Sequence, residues 1–370
     1  MPTIHTERTL SPDDSCLRFA VERLGVVMEP EPGNPHDVEG VLNPAGVTGP
    51  DGHYYLFPRL VAAGNYSRIG VARVTRAPDG RPSRVERLGL ALEPETTDEL
   101  TRVGGGCEDA RVTFLPHARC YVMAYTALGP AGAHVAFATS RDLRTWTRRG
   151  LVDFAPERGT DFNVYANKDA LLLSEPVPSP DGRPALALLH RPLYEGWSGD
   201  GGACAPLPPP KGVLDARPSI WISYCPLDES GWLDGSAPAR FGRHRLVATP
   251  REPWEASRIG GGTVPLRTDA GWLTFYHGVE FTPDGERRYQ AGALLLDHAD
   301  PGRVLARTPA PIFGPQTREE RMGVVDNVVF PTAVEPRAGG LDVYYGMADA
   351  RIGVVHLRSA SPHSAEEVAA

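Results

Sequence analysis

The segment GWLTFYHG, Gly271 to Gly278, has the composition of a buried β-strand, and four other segments of the chain are similar to it. They are HYYLFPRL at His53, CYVMAYTA at Cys120, PALALLHR at Pro184 and LDVYYGMA at Leu341. Each of the five is followed at a short distance by a second apolar segment. In chain order, these second segments are SRIGVARV, HVAFATS, SIWISYC, YQAGALLLD and RIGVVHL. With 40 Gly and 37 Pro among 370 residues, long helices would be interrupted often, so the chain is predicted to be rich in β-sheet.

Five copies at intervals of about 60 to 90 residues predict one supersecondary unit repeated radially. Small antiparallel sheets repeated in this way are the blades of a propeller, so we expect an all-β, five-bladed β-propeller with a central funnel. A β-sandwich with coincidental hairpins is the alternative. The whole chain, 1–370, is interpreted as one catalytic domain, with about 20 N-terminal and about 13 C-terminal residues as extensions.

In a propeller the innermost strands point at one axis, so residues at equivalent positions of the repeat should converge there. The residues expected to face the funnel on this ground are Arg59, Tyr125, His190 with Arg191, His277 and Tyr345.

The charge and the cysteines exclude several functional classes. A net charge of −8 and a pI of about 5.8 argue against a nucleic-acid partner, because phosphate backbones are bound by basic surfaces. The five cysteines are scattered and lack the spacing of a zinc site: Cys16, Cys107, Cys120, Cys204 and Cys225. We interpret them as reduced thiols. No signal peptide and no apolar run near ~20 residues is found, so a cytoplasmic protein with no membrane partner is expected.

The stretch GGGCEDARVTF, Gly104 to Phe114, places two adjacent acids and a guanidinium at the start of a strand. A carboxylate beside a second carboxylate resists ionisation, whereas a neighbouring guanidinium promotes it. Glu108, Asp109 and Arg111 could therefore hold one acid protonated and one charged, which suits a proton donor. A surface Asp–Arg pair that caps a strand is the alternative. The glycines before the acids suggest a close approach to a ligand or a positive φ.

Two further groups of polar residues are candidates for a site. In NKDALLLSEP, Lys168 precedes an acid, and adjacent residues of a regular strand point to opposite faces, so at most one of the two should face the funnel. A turn with solvated charges is an equally good explanation. The second group would suit an oxyanion such as phosphate, if the blades form a ring. It consists of His190, Arg191, Arg258, His277 and Tyr289.

Eight segments, in this order along the chain, resemble glycoside hydrolase family 130, a family of β-mannoside phosphorylases and β-mannosidases with a five-bladed β-propeller fold. The segments are NPAGV, GGCEDARVTF, NKDALLLSEP, LLHRP, RIGGGTVPLRTDAGWLTFYHGVEF, LLLDHADPGRVLAR, MGVVDNVVFP and YYGMADARIGVV. The resemblance covers about residues 20 to 357, and several linked motifs in one order make chance similarity improbable.

The resemblance implies a role for each matching position. The acid of the family's Gly-x-Glu-Asp-Pro-Arg motif is Asp109, with Ala110 in place of the usual Pro. Such an acid protonates the glycosidic oxygen through the mannosyl 3-hydroxyl, while phosphate attacks the anomeric carbon with inversion. The implied phosphate-binding residues are Asn167, Arg191, Arg258, His277 and Tyr289, with Arg258 where a Lys is common. The implied mannosyl-binding residues are Asn43, Arg59, Ser67 and Asp349, to which we add Glu108, Arg111 and Lys168 as candidates for binding substrate.

Two departures from the family pattern bear on the reaction. Ala166 stands where many of the phosphorylases have a basic residue, so one contact to the anion would be missing. A bond of that type contributes roughly 1.5 to 3 kcal/mol. The segment 194–218 is a Pro- and Gly-rich insertion that could shape the acceptor side of the site.

The leading hypothesis is phosphorolysis of a β-mannoside to mannose 1-phosphate, with inorganic phosphate as co-substrate and no cofactor or metal. One alternative is a β-mannosidase, in which a carboxylate such as Glu255 or Glu320 activates water. The other is a non-catalytic sugar-binding propeller. The expected partner is a small mannoside or oligosaccharide, and a homo-oligomer remains open.

Overall fold

β-strands make up nearly all of the regular structure. The computed structural model describes residues 17–101, 104–194, 197–199, 202–204 and 206–359. In these ranges the α-helical structure is a single turn, Arg318–Arg321, and 3-10 turns occur at Phe162–Val164, Leu227–Glu229, Gly231–Leu233 and Pro253–Glu255. The prediction of an all-β protein is therefore confirmed. None of the described helices has the length and apolar character needed to cross a membrane.

The strands are numbered in chain order. The first ten are β1 (Phe19–Met28), β2 (Gly40–Thr48), β3 (Tyr54–Ala62), β4 (Tyr66–Arg76), β5 (Pro82–Leu92), β6 (Gly105–Leu115), β7 (Cys120–Gly129), β8 (Gly132–Ser140), β9 (Thr147–Leu151) and β10 (Asp153–Phe154). The next eight are β11 (Ala166–Leu172), β12 (Val177–Pro178), β13 (Pro184–Leu193), β14 (Trp197–Gly199), β15 (Gly202–Cys204), β16 (Ile220–Pro226), β17 (Arg240–Ala248) and β18 (Arg258–Gly261). The last seven are β19 (Leu266–Thr268), β20 (Gly271–Phe281), β21 (Arg287–Leu296), β22 (Val304–Arg307), β23 (Val329–Arg337), β24 (Gly340–Met347) and β25 (Arg351–Ser359).

The strands pair into antiparallel meanders, which we number as sheets. Sheet 1 is β2–β3–β4–β5 and sheet 2 is β6–β7–β8–β9, and a short parallel pairing of β4 with β6 joins the two into eight strands. Sheet 3 is β11–β13–β16–β17, with β10 and β12 added to it; sheet 4 is β18–β20–β21–β22, with β19 added; sheet 5 is β23–β24–β25–β1. The hairpin β14–β15 is separate. The five repeated segments of the sequence are the second strands of these sheets, and the segments that follow them are the third strands.

Burial explains why the second strands have such continuous apolar sequences. All ten residues of β7 are buried, whereas most residues of β5, an outermost strand, are partly or fully exposed. A strand that is buried on both faces lies in a sheet with neighbours packed on both sides.

The apolar clusters lie between sheets. One cluster joins sheets 1 and 2 through Phe57 and Met123, and a second joins sheets 2 and 3 through Phe137 and Trp221. Two more join sheets 3 and 4, and sheets 4 and 5. A fifth cluster joins sheet 5 to sheet 1, where the rings of Tyr344 and Tyr54 stack with centroids 5.6 Å apart.

Candidate active site

Three polar residues lie at bulges near the start of the first strands of sheets 1, 2 and 3. The pairing register shifts around Asn43, Asp109 and Asp169, and their φ angles are 43°, 46° and 55°. At a bulge the regular alternation of side chains is broken. Adjacent residues can then share a face, which is why both Glu108 and Asp109 enter the site.

The same effect overturns one expectation. Lys168 and Asp169 were expected to point to opposite faces, but both take part in the site. Lys168 Nζ donates to Glu108 Oε2 at 3.0 Å, whereas Asp169 accepts from Arg191 Nε at 2.6 Å. The expectation assumed a regular strand, and the bulge removes that assumption.

The first group of site residues surrounds Glu108 and Asp109 and is referred to here as the carboxylate cluster: Asn43, Arg59, Ser67, Glu108, Asp109, Lys168 and Asp349. Arg59 links its members, because Nε donates to Ser67 Oγ at 2.8 Å and Nη2 lies 2.7 Å from Glu108 Oε1. Asn43 Nδ2 donates to Asp109 Oδ1 at 2.9 Å. All seven were candidates from the sequence.

The pKa values of two carboxyl groups in this cluster are shifted in opposite directions. Burial alone would raise the pKa of Asp109, but the charges of Arg59, Lys168 and Arg111 outweigh it and keep that pKa below its ordinary value. Burial raises the pKa of Asp349 to about 6, with Asp109 and Glu108 adding to the effect. The acid with the raised pKa is therefore Asp349 rather than a member of the Glu108–Asp109 pair.

Arg111 does not form the expected ion pair with the adjacent acids. Its Nη1 donates to the backbone carbonyls of Asp109 and Ala110, each at 2.9 Å, and its Nε donates to the carbonyl of Gly262. The side chain is buried, and Nη2 has no hydrogen-bond partner among the described residues. Arg111 thus supports the backbone at the bulge and keeps its Nη2 amino group without a partner among the described residues.

The second group, the anion cluster, consists of Arg111, Asp169, Arg191, Arg258, His277, Tyr289 and Phe330. Its centre is Asp169, which lies 3.7 Å from His277 Nε2 in addition to accepting from Arg191. Arg191 Nη1 and both ring nitrogens of His277 are buried and have no hydrogen-bond partner among the described residues. Burial lowers the pKa of His277 to about 3, so its ring is neutral at neutral pH.

Gly260 forms one wall of the anion cluster. A Cβ atom at this position would lie 2.3 Å from Asp169 Oδ2, 2.5 Å from His277 Cε1 and 2.7 Å from Arg191 Nε. Only glycine leaves room for these three side chains to meet. The ring of Phe330 lies opposite, 4.3 Å from the ring of His277 and 5.8 Å from Arg111 Cζ. Asp169, Gly260 and Phe330 were not identified from the sequence as site residues.

The remaining predicted anion-binding residues differ in position. The ring of Tyr289 lies 5.9 Å from that of His277, and the charge of Arg258 helps to lower the pKa of His277, so both lie in the anion cluster. Asn167 does not enter it, because its amide lies 3.0 Å from Nδ1 of the buried His190. Ala166 packs against Leu128, Ala133 and Leu193. The inference that Ala166 leaves a contact to the anion missing is therefore wrong.

Three residues expected to face the funnel serve other purposes. Tyr125 and Tyr345 donate to the buried carboxylates of Glu99 and Glu320, each at 2.7 Å. His190 is buried against the rings of Phe154 and Phe162. Only Arg59, Arg191 and His277 of that set reach the site.

The glutamates proposed as a hydrolytic base also lie outside the site. Glu255 is fully buried, pairs with Arg307 at 2.7 Å and accepts from Tyr276 and from two backbone N–H groups. Glu320 is held in the same way by Arg23 and Tyr345. A buried carboxylate that is held by an arginine, a tyrosine and two backbone N–H groups is not available to activate water.

The glycines before the acid pair bring backbones together. Gly105 and Gly106 have φ angles of 95° and 109°, and a Cβ on Gly106 would lie 2.3 Å from the carbonyl oxygen of Ser67. They allow β6 to pair with β4, which positions Ser67 beside the acids.

The cysteines lie outside the site. Cys107, Cys120 and Cys225 are buried free thiols, whereas Cys16 and the side chain of Cys204 lie outside the described residues.

Comparisons with known proteins show which family the chain resembles. A family model described as beta-1,4-mannooligosaccharide phosphorylase, that of glycoside hydrolase family 130, matches residues 211–360. A 1,2-beta-oligomannan phosphorylase from Thermoanaerobacter sp. (strain X514) is 28% identical over 337 residues, 90% of this chain and 94% of that protein. The chain is thus similar to proteins of glycoside hydrolase family 130. It is therefore a carbohydrate-active enzyme, a glycoside phosphorylase or a glycosidase.

Two further comparisons point to similar proteins. A beta-1,2-mannobiose phosphorylase from Listeria innocua is 34% identical over 245 residues, which is 66% of this chain and 55% of that protein. The solved structure of beta-1,2-mannobiose phosphorylase from Listeria innocua in complex with beta-1,2-mannobiose has a TM-score of 0.67 at 24% identity, covering 91% of this chain and 96% of that one. At that identity the likeness shows the fold alone.

Proposed function

We propose that this protein is an inverting β-mannoside phosphorylase, which uses inorganic phosphate to cleave a β-mannosidic bond and releases mannose 1-phosphate. The observation that carries the proposal is a set of four buried nitrogen atoms without hydrogen-bond partners among the described residues: Arg111 Nη2, Arg191 Nη1 and both ring nitrogens of His277. A buried polar group left unsatisfied costs about 1–3 kcal/mol. A phosphate ion would supply oxygens to the guanidinium groups and to one nitrogen of His277.

The two clusters divide the work of the reaction. The carboxylate cluster would hold the mannosyl unit, and Asp109 would supply a proton to the leaving-group oxygen, through the mannosyl 3-hydroxyl as the family resemblance implies. A phosphate oxygen in the anion cluster would form the bond to the anomeric carbon from the opposite face while the glycosidic bond breaks. Arg111 connects the two halves, because it contacts the backbone of Asp109 and its free Nη2 belongs to the anion cluster.

The source of the proton follows from the two carboxyl groups. Asp109 is ionised in the free enzyme at neutral pH, because its pKa lies below the ordinary value. Asp349, with a pKa of about 6, is the neighbouring acid that retains a proton more readily. Since interacting acids titrate together, we assign the proton to the Asp109–Asp349 pair.

The proposed substrate is a β-1,2-linked mannoside. Two of the relatives are named for β-1,2-linked oligomannan and mannobiose, whereas the family model is described by the β-1,4 linkage. The insertion 194–218 is proposed to shape the acceptor side; it contains the hairpin β14–β15 and the fully exposed Leu214.

The proposed architecture is a ring of five blades formed by sheets 1 to 5 as a single domain. Apolar clusters between successive sheets, including one between sheet 5 and sheet 1, support it. We further propose a cytoplasmic enzyme that needs no metal or organic cofactor, and we leave open whether it forms a homo-oligomer.

Hydrolysis is the second candidate function, and Asp169 is the observation that favours it. An inverting glycosidase uses a second carboxylate to activate water. Glu255 and Glu320 are engaged elsewhere, but Asp169 is a buried carboxylate within the anion cluster. Burial alone would raise its pKa, yet the charges of Arg191 and Arg111 and the hydrogen bond from Arg191 keep that pKa below the ordinary value, so Asp169 is ionised.

The test is incubation of the protein with β-1,2-mannobiose and β-1,4-mannobiose, each with and without inorganic phosphate. Phosphorolysis predicts mannose 1-phosphate only when phosphate is present, and Arg191→Ala or His277→Ala should raise the KM for phosphate far more than that for the sugar. Phosphorus NMR and chromatography of free mannose measure the two products.

Asp109→Asn serves as the control, because it removes the acid and should abolish both reactions with little change in sugar binding. Release of free mannose at the same rate with and without phosphate would identify a hydrolase instead. Near-normal turnover by Asp109→Asn would exclude Asp109 as the acid.

A further inference from the structure

Asp169 is a negatively charged side chain in the part of the site proposed to bind a negatively charged substrate. Its carboxylate is 1% exposed and its backbone has a φ of 55° at the bulge of β11. Neither the sequence motifs nor the names of the relatives assign it a role. A buried carboxylate repels phosphate, so its presence needs a compensating advantage.

The contacts of Asp169 show what that advantage is. Oδ2 accepts the Nε proton of Arg191 at 2.6 Å and lies 3.7 Å from His277 Nε2, and all three groups press against Gly260. An arginine side chain loses rotamer entropy when it is fixed. Binding through Nε fixes the plane of the guanidinium before phosphate arrives.

Because Asp169 binds Arg191 through Nε, other nitrogen atoms of the guanidinium remain available to a ligand. With Nε occupied by Asp169, Arg191 keeps Nη1 buried and without a partner among the described residues. His277 likewise keeps both ring nitrogens without hydrogen bonds, because 3.7 Å is too long for one. The cations of Arg111, Arg191 and Arg258 together outweigh the single negative charge of Asp169.

We propose that Asp169 is the positioning residue of the phosphate site: its carboxylate fixes Arg191 through Nε, so that Nη1 is presented to the anion beside His277. This inference rests on the proposed phosphorolysis. Asp169 acts through Arg191 and not by contact with the sugar, so its loss should affect phosphate and spare the mannoside.

The experiment compares Asp169→Ala with Asp169→Asn in the full-length protein. Asp169→Ala removes the acceptor for Nε, and we expect the KM for phosphate to rise about ten-fold or more, since a charge-assisted hydrogen bond contributes roughly that factor. The KM for the mannoside should change less than about two-fold. Asp169→Asn keeps an oxygen acceptor of the same shape, so it should restore most of the phosphate affinity. Calorimetric titration of each protein with inorganic phosphate gives the same comparison without turnover.

Asp342→Asn is the matched control. Asp342 is also a fully buried aspartate between an arginine and a histidine, 2.8 Å from both Arg337 Nη1 and His356 Nδ1, but it lies near the start of β24 and belongs to neither cluster. Its replacement should lower thermal stability and leave the KM for phosphate unchanged.

The outcomes separate the two proposals. If the wild type binds phosphate and makes mannose 1-phosphate while Asp169→Ala binds phosphate equally well, Asp169 has no positioning role and the proposed function stands. Loss of phosphate affinity in Asp169→Asn as large as that in Asp169→Ala would also overturn positioning, because the amide retains the acceptor. If the wild type binds no phosphate and releases mannose, both proposals fail; hydrolysis abolished in Asp169→Asn would then make Asp169 the base.

Discussion

Four polar residues of the site share a backbone conformation that most residues avoid. Asn43, Asp109, Asp169 and Asp349 have φ angles between 43° and 55°. Asn and Asp adopt this left-handed region more readily than other residues with a Cβ atom, although it still carries strain of about 1 kcal/mol or more. The conformation turns each side chain out of the regular alternation of a strand and into the site.

Asp349 gives a prediction for the pH dependence of stability. Burial raises the pKa of Asp349 from 3.8 to about 6, while Arg59 and Lys168 lower it and Asp109 and Glu108 raise it. The folded state therefore binds this proton more tightly than the unfolded chain does. The stability that Asp349 contributes is complete below pH 3.8 and is lost as the pH rises through about 6.

Asp349→Asn should remove that loss. We compare the melting temperature of the variant with that of the wild type at each pH. The variant is expected to gain stability relative to the wild type between pH 4 and pH 8, by the equivalent of roughly 1 to 3 kcal/mol. The lower values in this range allow for solvent screening, because Asp349 is only partly buried. Thermal unfolding followed by circular dichroism at several pH values measures the difference. Asp284→Asn, in an exposed turn, controls for the loss of one negative charge. A difference that is constant with pH, or that decreases, would contradict the assignment.

At the scale of strands, β18 is adapted to the anion cluster by its glycines. Its sequence is RIGG, followed by Gly262, whose carbonyl accepts from Arg111 Nε. Gly260 leaves the space in which Asp169, Arg191 and His277 meet. A methyl group there would have to displace charged, buried side chains.

Gly260→Ala should therefore raise the KM for phosphate by about ten-fold or more while changing the KM for the mannoside much less. The physical reason is that the new methyl group would overlap Asp169 Oδ2, His277 Cε1 and Arg191 Nε, so these side chains would have to move from their present positions. Steady-state kinetics with phosphate varied at fixed mannoside measures the effect.

Gly292→Ala is the control, because its Cβ would crowd Trp254 and Tyr276 in the core of the same sheet, away from the anion cluster. It should lower the melting temperature without affecting phosphate. Equal phosphate KM values for Gly260→Ala and the wild type would show that the cluster does not form the anion site.

The same elements show what the sequence could and could not predict. The apolar segments predicted the second and third strands of every sheet, because buried strands need continuous apolar sequence. The family motifs led to Arg59, Asp109, Arg191 and His277, all of which reach the site. Asp169 was missed because the alternation rule assumes a regular strand, and bulges leave no clear sequence signal. Tyr125 and Tyr345 were misassigned since their partners, Glu99 and Glu320, come from connections that a strand pattern does not specify.

At the scale of the molecule, those glutamates belong to an arrangement of three side chains that recurs in three sheets. In sheets 2, 4 and 5, a buried glutamate before the first strand accepts from a tyrosine of the second strand and pairs with an arginine of the outermost strand. The three sets are Glu99, Tyr125 and Arg148; Glu255, Tyr276 and Arg307; Glu320, Tyr345 and Arg23. Each set connects the second strand of one sheet to its outermost strand.

The set in sheet 5 does more, because its arginine comes from the other end of the chain. β1 pairs with β25 along its whole length, from Phe19 opposite Ser359 to Met28 opposite Ile352. Arg23 Nε donates to Glu320 Oε1 at 2.9 Å, and Nη2 donates to the carbonyl of Gly314 at 2.8 Å. The N-terminal strand thus completes a sheet that is otherwise C-terminal, between sheets 4 and 1.

Arg23→Met should therefore destabilise the pairing of β1 with β25 and not only one contact. Removing the partner of a buried charge costs about 3–5 kcal/mol, at the lower end here because Arg23 is 22% exposed. Arg148→Met removes the equivalent arginine within sheet 2, where all four strands are consecutive in the chain. Both variants should melt at lower temperature, but only Arg23→Met should speed amide hydrogen exchange in both β1 and β25, because separating them opens the sheet at its junction with sheet 1. Exchange measured by mass spectrometry distinguishes the two. If Arg23→Met leaves exchange in β25 at the wild-type rate, the pairing of β1 is only an addition to a sheet that is stable without it, and the junction of sheet 5 with sheet 1 must depend instead on their apolar contact.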